Sequence, residues 1–248
     1  MSQLKKGAVL SYVNILLTNT IGLILTPFII RSLGDSEYGL YTLVGSLIAY
    51  FTLMDLGLNN TIVRYVAFYK HNNDKKGEED FLGLIFVMYS VISVLVVIIG
   101  FFLYFRLDDI FKKSLTTAQI VEAKNMFIIL VFNIAITLPG GAFIAICNAY
   151  EKFVFPRLLT ILKYIVRSIL ILSLLGFMPE AITLVWIDTG ISIIFISISI
   201  YFVLWKLNVR ITYSKFDLKL LKEISSYSFW VFLSAIVMNM QRLKKLTA

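Results

Sequence analysis

Four polar side chains share one face of an otherwise apolar stretch. Thr160, Lys163, Tyr164 and Arg167 stand at i, i+3, i+4 and i+7, the spacing that draws one stripe along an α-helix. Such a stripe can serve as a cationic cavity wall for a pyrophosphate or an acidic sugar. It can equally be one half of an internal ion pair, with Asp55 or Asp188 as the other half. Arg167 comes ten residues after Arg157, about 15 Å along a helix, which is close to the midplane of a bilayer about 30 Å thick. On insertion scales a central Lys or Arg costs about 2.5–3.5 kcal/mol, whereas each Leu, Ile, Val or Phe returns about 0.3–0.6. Two cations thus cost about 5–7 kcal/mol against about 4–8 returned by the apolar residues around them. A helix so balanced turns its cations toward protein or water, not toward lipid.

Three further groups belong with that stripe. Arg64 joins Lys163 and Arg167 as a candidate substrate-binding cation. It follows Asp55, Asn59 and Asn60 in an apolar run. Asp55 with Asn59 and Asn60 with Arg64 are i, i+4 neighbours on a helix, suited either to a gate or ligand contact or to hydrogen bonds between helices. Asp188 reads as the counter-ion of Arg167, with a coupling-ion site as the other role open to it. The "LPGGAF" stretch joins Pro139 to Gly140 and Gly141, and Pro27 interrupts the first apolar run. Each is a candidate helix kink or hinge.

Chemistry of the enzymatic kind is missing its usual parts. The single His71 sits in a charged loop and the single Cys147 has no partner, so there is no metal-ligand spacing and no intrachain disulfide. No glycine-rich loop follows a strand, and no catalytic residue or cofactor is expected. The net charge of +8 does not imply nucleic acid, because the basic residues lie between apolar runs, where membrane topology needs them.

Positioning these residues requires membrane-spanning helices. The 248 residues are 59% hydrophobic and only 15% charged, with mean hydropathy +0.86, more apolar surface than a soluble core of this size absorbs. A span needs about 20 apolar residues. Six stretches qualify: Gly7–Ile30, Tyr38 to about Val66, Phe81–Phe105, Asn125–Tyr150, about 158–178 and about 181–205. Ile224–Gln241 opens a seventh. The sequence therefore predicts an all-α polytopic membrane protein: a six-helix lobe over 1–204, an amphipathic linker over 205–225 and the start of a seventh helix over 226–248. Basic residues crowd the loops on the N-terminal side, from Lys5 and Lys6 to Lys222, which places the N-terminus in the cytoplasm. The hairpin "PFIIRSLGDSEYGLY" (27–41) then lies outside, with its turn at Gly34 and with Tyr38 and Tyr41 in an interfacial aromatic belt.

That hairpin, with "LMDLGLNNTIVRY" (53–65), "NAYEKF" (148–153) and "ISSYSFWVFLSAI" (224–236), resembles the N-terminal half of bacterial polysaccharide-biosynthesis proteins. These are the oligosaccharide flippases of the superfamily that also holds multidrug exporters. The resemblance implies one lobe of a two-lobed transporter and an undecaprenyl-diphosphate-linked oligosaccharide of the O-antigen, capsule or exopolysaccharide type as substrate. It also implies membrane lipids and a coupling ion as partners. Family members are about twice as long, so either a C-terminal lobe or a second copy of this chain would complete the cavity. The "QRLKKLTA" end departs from the family pattern and reads as a truncation. A cation-coupled drug exporter, a fragment that does not transport and, less readily, a membrane enzyme of polysaccharide assembly are the competing expectations.

Overall fold

The computed structural model describes residues 3–212 and 218–246, with side chains over 3–212 and 220–234. Among them there are helices and no strands. Helix α1 spans Gln3–Ala49 and bends at Gly34, whose φ of 78° is open to glycine without strain. A short 3₁₀ segment, Tyr50–Asp55, leads to α2, Leu58–His71. Then follow α3, Lys75–Phe111, α4, Thr117–Ala149, α5, Val154–Leu174, and α6, Ala181–Tyr201, which ends in one π turn over Phe202–Lys206. Helix α7 spans Leu218–Leu246.

The helix starts follow from local chemistry. The Asp74 carboxylate accepts from the Gly77 amide at 2.9 Å and opens α3. Thr116 and Gln119 form a reciprocal capping box that opens α4. Helix α4 is the centre of the bundle and packs against α1, α2, α3, α5 and α6. Without a hydrophobic drive between helices in lipid, close backbone approach does much of this work. A Cβ placed at Gly140 would lie 2.7 Å from Ile196 of α6, and one at Gly100 would lie 2.7 Å from Val131 of α4. A second apolar cluster joins Leu25, Ile29 and Leu33 of α1 to Ile171 of α5 and Leu184 and Ile191 of α6. Large apolar side chains such as Phe101, Phe102 and Trp186 point outward, as a lipid-facing surface requires.

Among the described residues, four helical stretches are long and apolar enough to cross a membrane: Gln3–His71, Lys75–Phe111, Thr117–Ala149 and Ala181–Lys206. The first runs 69 residues, more than one crossing needs. The chain is thus a multi-pass membrane protein. Helix α5, which carries Arg157, Lys163 and Arg167, is not in this set, although the sequence reading counted about 158–178 among the spans.

Several details differ from the sequence reading. The apolar run from Tyr38 to Val66 is not one helix. It breaks at Leu56 and Gly57, which both take left-handed φ, 50° and 77°, and the break leaves Asp55 beside the start of α2. Helix α1 continues through Pro27 and α4 through Pro139. At Pro139, Gly140 and Gly141, the hinge candidate, α4 makes close contacts with α6 and α2, and the positive-φ glycines fall at Gly34 and Gly57. No separate surface helix fills 205–225: residues 207–212 are not helical, 213–217 lie outside the described residues, and α7 runs unbroken from Leu218.

Candidate functional site

A cavity of about 530 Å³ opens between α4, α5 and α6. Helix α4 gives it Thr137, Gly140 and Gly141, α5 gives Thr160, Lys163, Tyr164 and Arg167, and α6 gives Asp188, Ser192 and Ser199. The polar stripe of α5 therefore faces this cavity as a unit. Its position follows from packing: Ile171, one turn beyond Arg167, is fully buried in the α1–α5–α6 cluster, and this fixes the rotation of the helix.

The charges in the cavity are not equivalent. Arg167 clasps Asp188 with two hydrogen bonds, Nε to Oδ1 at 2.5 Å and Nη2 to Oδ2 at 3.0 Å. This is the fork geometry that makes arginine–carboxylate pairs strong. Tyr41 completes the group. Its hydroxyl donates to Asp188 Oδ2 at 3.3 Å and accepts from Arg167 Nη2 at 3.5 Å. Tyr41 is thus an internal residue, not a member of an interfacial belt. Among the described residues Lys163 has no carboxylate partner: its Nζ donates to Ser192 Oγ at 3.2 Å, and that hydroxyl donates to the Asp188 carbonyl at 2.7 Å. Two cations and one carboxylate leave one net positive charge, carried by Lys163. Thr160 turns its hydroxyl back to the Pro156 carbonyl, and Tyr164 stays exposed at the cavity edge.

A second polar group lies on the other side of Gly141. The carboxylate Oδ1 of Asp55 accepts from Asn59 Nδ2 at 2.7 Å and from the Tyr89 hydroxyl at 2.8 Å. The Asn59 amide lies against Gly141, where a Cβ would come within 3.2 Å of it. The i, i+4 spacing of Asp55 and Asn59 made their contact legible. Their third partner, Tyr89, comes from α3, and nothing in the sequence singles it out.

Arg64 and Asn60 do not line the cavity. Arg64 is exposed and lies 4.4 Å from the centre of the Tyr227 ring. The neighbouring Tyr65 hydroxyl donates to Glu223 at 2.7 Å, and Thr61 shares a 2.7 Å hydrogen bond with Ser228. These contacts dock α7 onto α2. Asn60 is exposed on the same helix. Asp55 and Asp188 serve separate groups, and among the described residues Arg167 is the α5 cation that forms an ion pair, with Asp188.

Residues 4–242 match the family model described as polysaccharide biosynthesis protein. The chain belongs to that family. Among curated protein sequences none matches. Several solved structures share the fold. A MATE protein in complex with MaD3S superposes with a TM-score of 0.75 at 14% identity, over 95% of this chain and 55% of that one. An outward-facing multidrug resistance MATE family transporter of the MOP superfamily gives 0.68 at 16% identity, over 95% and 54%. A MOP superfamily transporter from Pyrococcus furiosus, described as having a binding pocket of reverse polarity, gives 0.62 at 17%, over 94% and 54%. The chain spans a little over half the length of these structures.

Proposed function

We propose that this polysaccharide biosynthesis protein is one lobe of a flippase that moves a lipid-linked oligosaccharide across the cytoplasmic membrane, for capsule, O-antigen or exopolysaccharide synthesis. The observation that carries the reading is the unpaired positive charge of Lys163 in a cavity rimmed by hydroxyls, within a chain of this family. A diphosphate or an acidic sugar brings the charge that Lys163 lacks, and Ser192 and Ser199 suit sugar hydroxyls. Arg167 acts on the substrate indirectly, by holding Asp188 away from Lys163. Export of a cationic drug is the competing reading, and a net positive cavity opposes it.

In this reading the chain crosses the membrane six times. Helix α1 crosses up to Gly34, the broken segment up to His71 returns, and α3, α4, α5 and α6 follow, with α7 opening a seventh crossing. Helix α5 has 21 residues, about 31 Å, which matches the apolar layer. The basic loops set the N-terminus and the α2–α3 connection in the cytoplasm. A second lobe, or a second copy of this chain, faces the open side of the cavity.

The test is polymer export in cells that depend on the protein carrying this lobe. Lys163→Ala should cut export about ten-fold or more, the size of a lost hydrogen bond to a charged group, with membrane insertion unchanged, and Lys163→Arg should retain most of it. Normal export by Lys163→Ala would remove the cavity from the transport route.

A further inference from the structure

Asp55 and Asp188 are both acids inside apolar segments, yet only one has a cation. Arg167 clasps Asp188, while among the described residues no lysine, arginine or histidine reaches ion-pair distance of Asp55. The partners of Asp55 are the neutral Asn59 amide and the neutral Tyr89 hydroxyl, both on Oδ1. Tyr89 is fully buried. It stands eight residues past Phe81, the start of the uncharged run of α3, about 12 Å along that helix. An ionised carboxylate at such depth with no counter-charge is costly.

Asn59 supplies a second, independent sign. Its nitrogen is taken by Asp55, but its carbonyl oxygen Oδ1 is buried and, among the described residues, accepts from nothing. Buried acceptors are rarely left so. One small cation meets both demands, the charge of Asp55 and the free lone pairs of Asn59. The chain around them is suited to this, because the helix is broken at Leu56 and Gly57, and broken helices inside membranes are where small ions are held. Asp55 is only half-buried, so an ion from solution reaches it.

We infer that Asp55, Asn59 and Tyr89 form a binding site for one monovalent cation, a proton or a sodium ion, held between the Asp55 carboxylate and the Asn59 carbonyl. A proton turns Asp55 into the donor that Asn59 Oδ1 lacks. Sodium finds only hard oxygen ligands there, and one carboxylate balances one positive charge. The titratable group that touches Asp55 is Tyr89, from α3. Helix α4 brings Gly141 against Asn59 and no charge. Glu223 and Tyr227 of α7 meet α2 at Tyr65 and Arg64, nearer its other end. Lys163, Arg167 and Asp188 belong to the cavity that Gly141 also lines. Occupancy of the ion site is thereby placed one backbone away from the substrate cavity, which gives the transporter reading a driving ion. The inference takes only its purpose from that reading, since ion binding is measured without substrate.

The experiment follows thermal unfolding of the purified 248-residue chain in detergent, with a thiol-reactive dye reporting exposure of the single, buried Cys147. Sodium chloride is compared with choline chloride at matched ionic strength, at mildly alkaline and at mildly acidic pH, each protein carrying Glu122→Gln to remove the other carboxyl that titrates in this window. A saturable rise of about 2–4 °C is expected for a ligand bound well below its working concentration. A rise with sodium at alkaline pH identifies a sodium site, and a rise on acidification alone identifies a proton site. Either rise should vanish in Asp55→Asn and persist in Asp188→Asn. If Asp55→Asn does not fold, saturable binding of radioactive sodium to the wild-type chain, or proton uptake by it on acidification that is lost in Asn59→Leu, decides the same question. Absence of both rises in the parent Glu122→Gln chain, or their persistence in Asp55→Asn, would overturn the inference.

Discussion

At the scale of single residues, the account turns on a division of labour between two cations four residues apart. Arg167 is neutralised by Asp188, and Lys163 is not. Removing one partner of a fully buried ion pair costs about 3–5 kcal/mol. The side chains of Arg167 and Asp188 keep 25% and 27% of their surface exposed, so solvent screening reduces this to about 1–3 kcal/mol. Arg167→Ala and Asp188→Ala should therefore each lower the melting temperature by several degrees, and the double variant should be little worse than the worse single. Thermal melts of the three variants give the coupling energy directly. Strict additivity would mean that the pair does not hold α5 to α6. The sequence showed this pair in outline, because a charge inside an apolar run must find a partner. It did not show Tyr41 or Tyr89, since a tyrosine is equally at home at an interface, in a core or on a carboxylate, and only tertiary contact decides.

At the scale of elements, the helix ends opposite the N-terminus are joined by carboxylates. Glu37 of α1 accepts from the Ala181 amide at the start of α6 at 3.0 Å. It also hydrogen-bonds Glu122, in the first turns of α4 and outside the Asn125–Tyr150 apolar run. Burial, then the hydrogen bond to Glu37, then the charges of Glu37 and Glu180 raise the Glu122 carboxyl from its ordinary 4.5 to about 7. An acid raised on folding keeps its proton in the native state. Its contribution is full below about 4.5 and is lost as pH rises through about 7. The melting temperature of the wild type should thus fall across that window, and Glu122→Gln should flatten the fall and be the more stable protein at alkaline pH. Parallel pH profiles for the two would show instead that Glu122 titrates as a free surface group. Element boundaries were the less legible part of the sequence. The run "LMDLGLNN" (53–60) is apolar enough to pass as continuous span, and hydropathy cannot register that Leu56 and Gly57 both turn left-handed. Within the linker stretch, residues 218–223 form the first turns of α7.

At the scale of the whole molecule, the account needs a fixed orientation and an open cavity. Asn72 joins α2 to α3, and Asp109 lies near the far end of α3, a helix of 37 residues and about 55 Å. Single cysteines at these positions, in a Cys147→Ser background, should react with an impermeant thiol reagent from opposite sides of the membrane, with Asp109→Cys labelled from outside. Outside labelling of Asn72→Cys would invert the topology. The all-helical, multi-pass character of the chain was legible because long uncharged runs admit few other structures, whereas the net charge of its cavity required knowing which acid meets which base. That charge is the centre of the account. It is tested most directly by binding of a polyprenyl-diphosphate-linked oligosaccharide to the detergent-purified protein carrying this lobe, wild type against Lys163→Ala. The account predicts affinity about ten-fold or more weaker in the variant, by loss of one charged contact, with a shallower salt dependence. Equal affinity and equal salt dependence in the two proteins would contradict it.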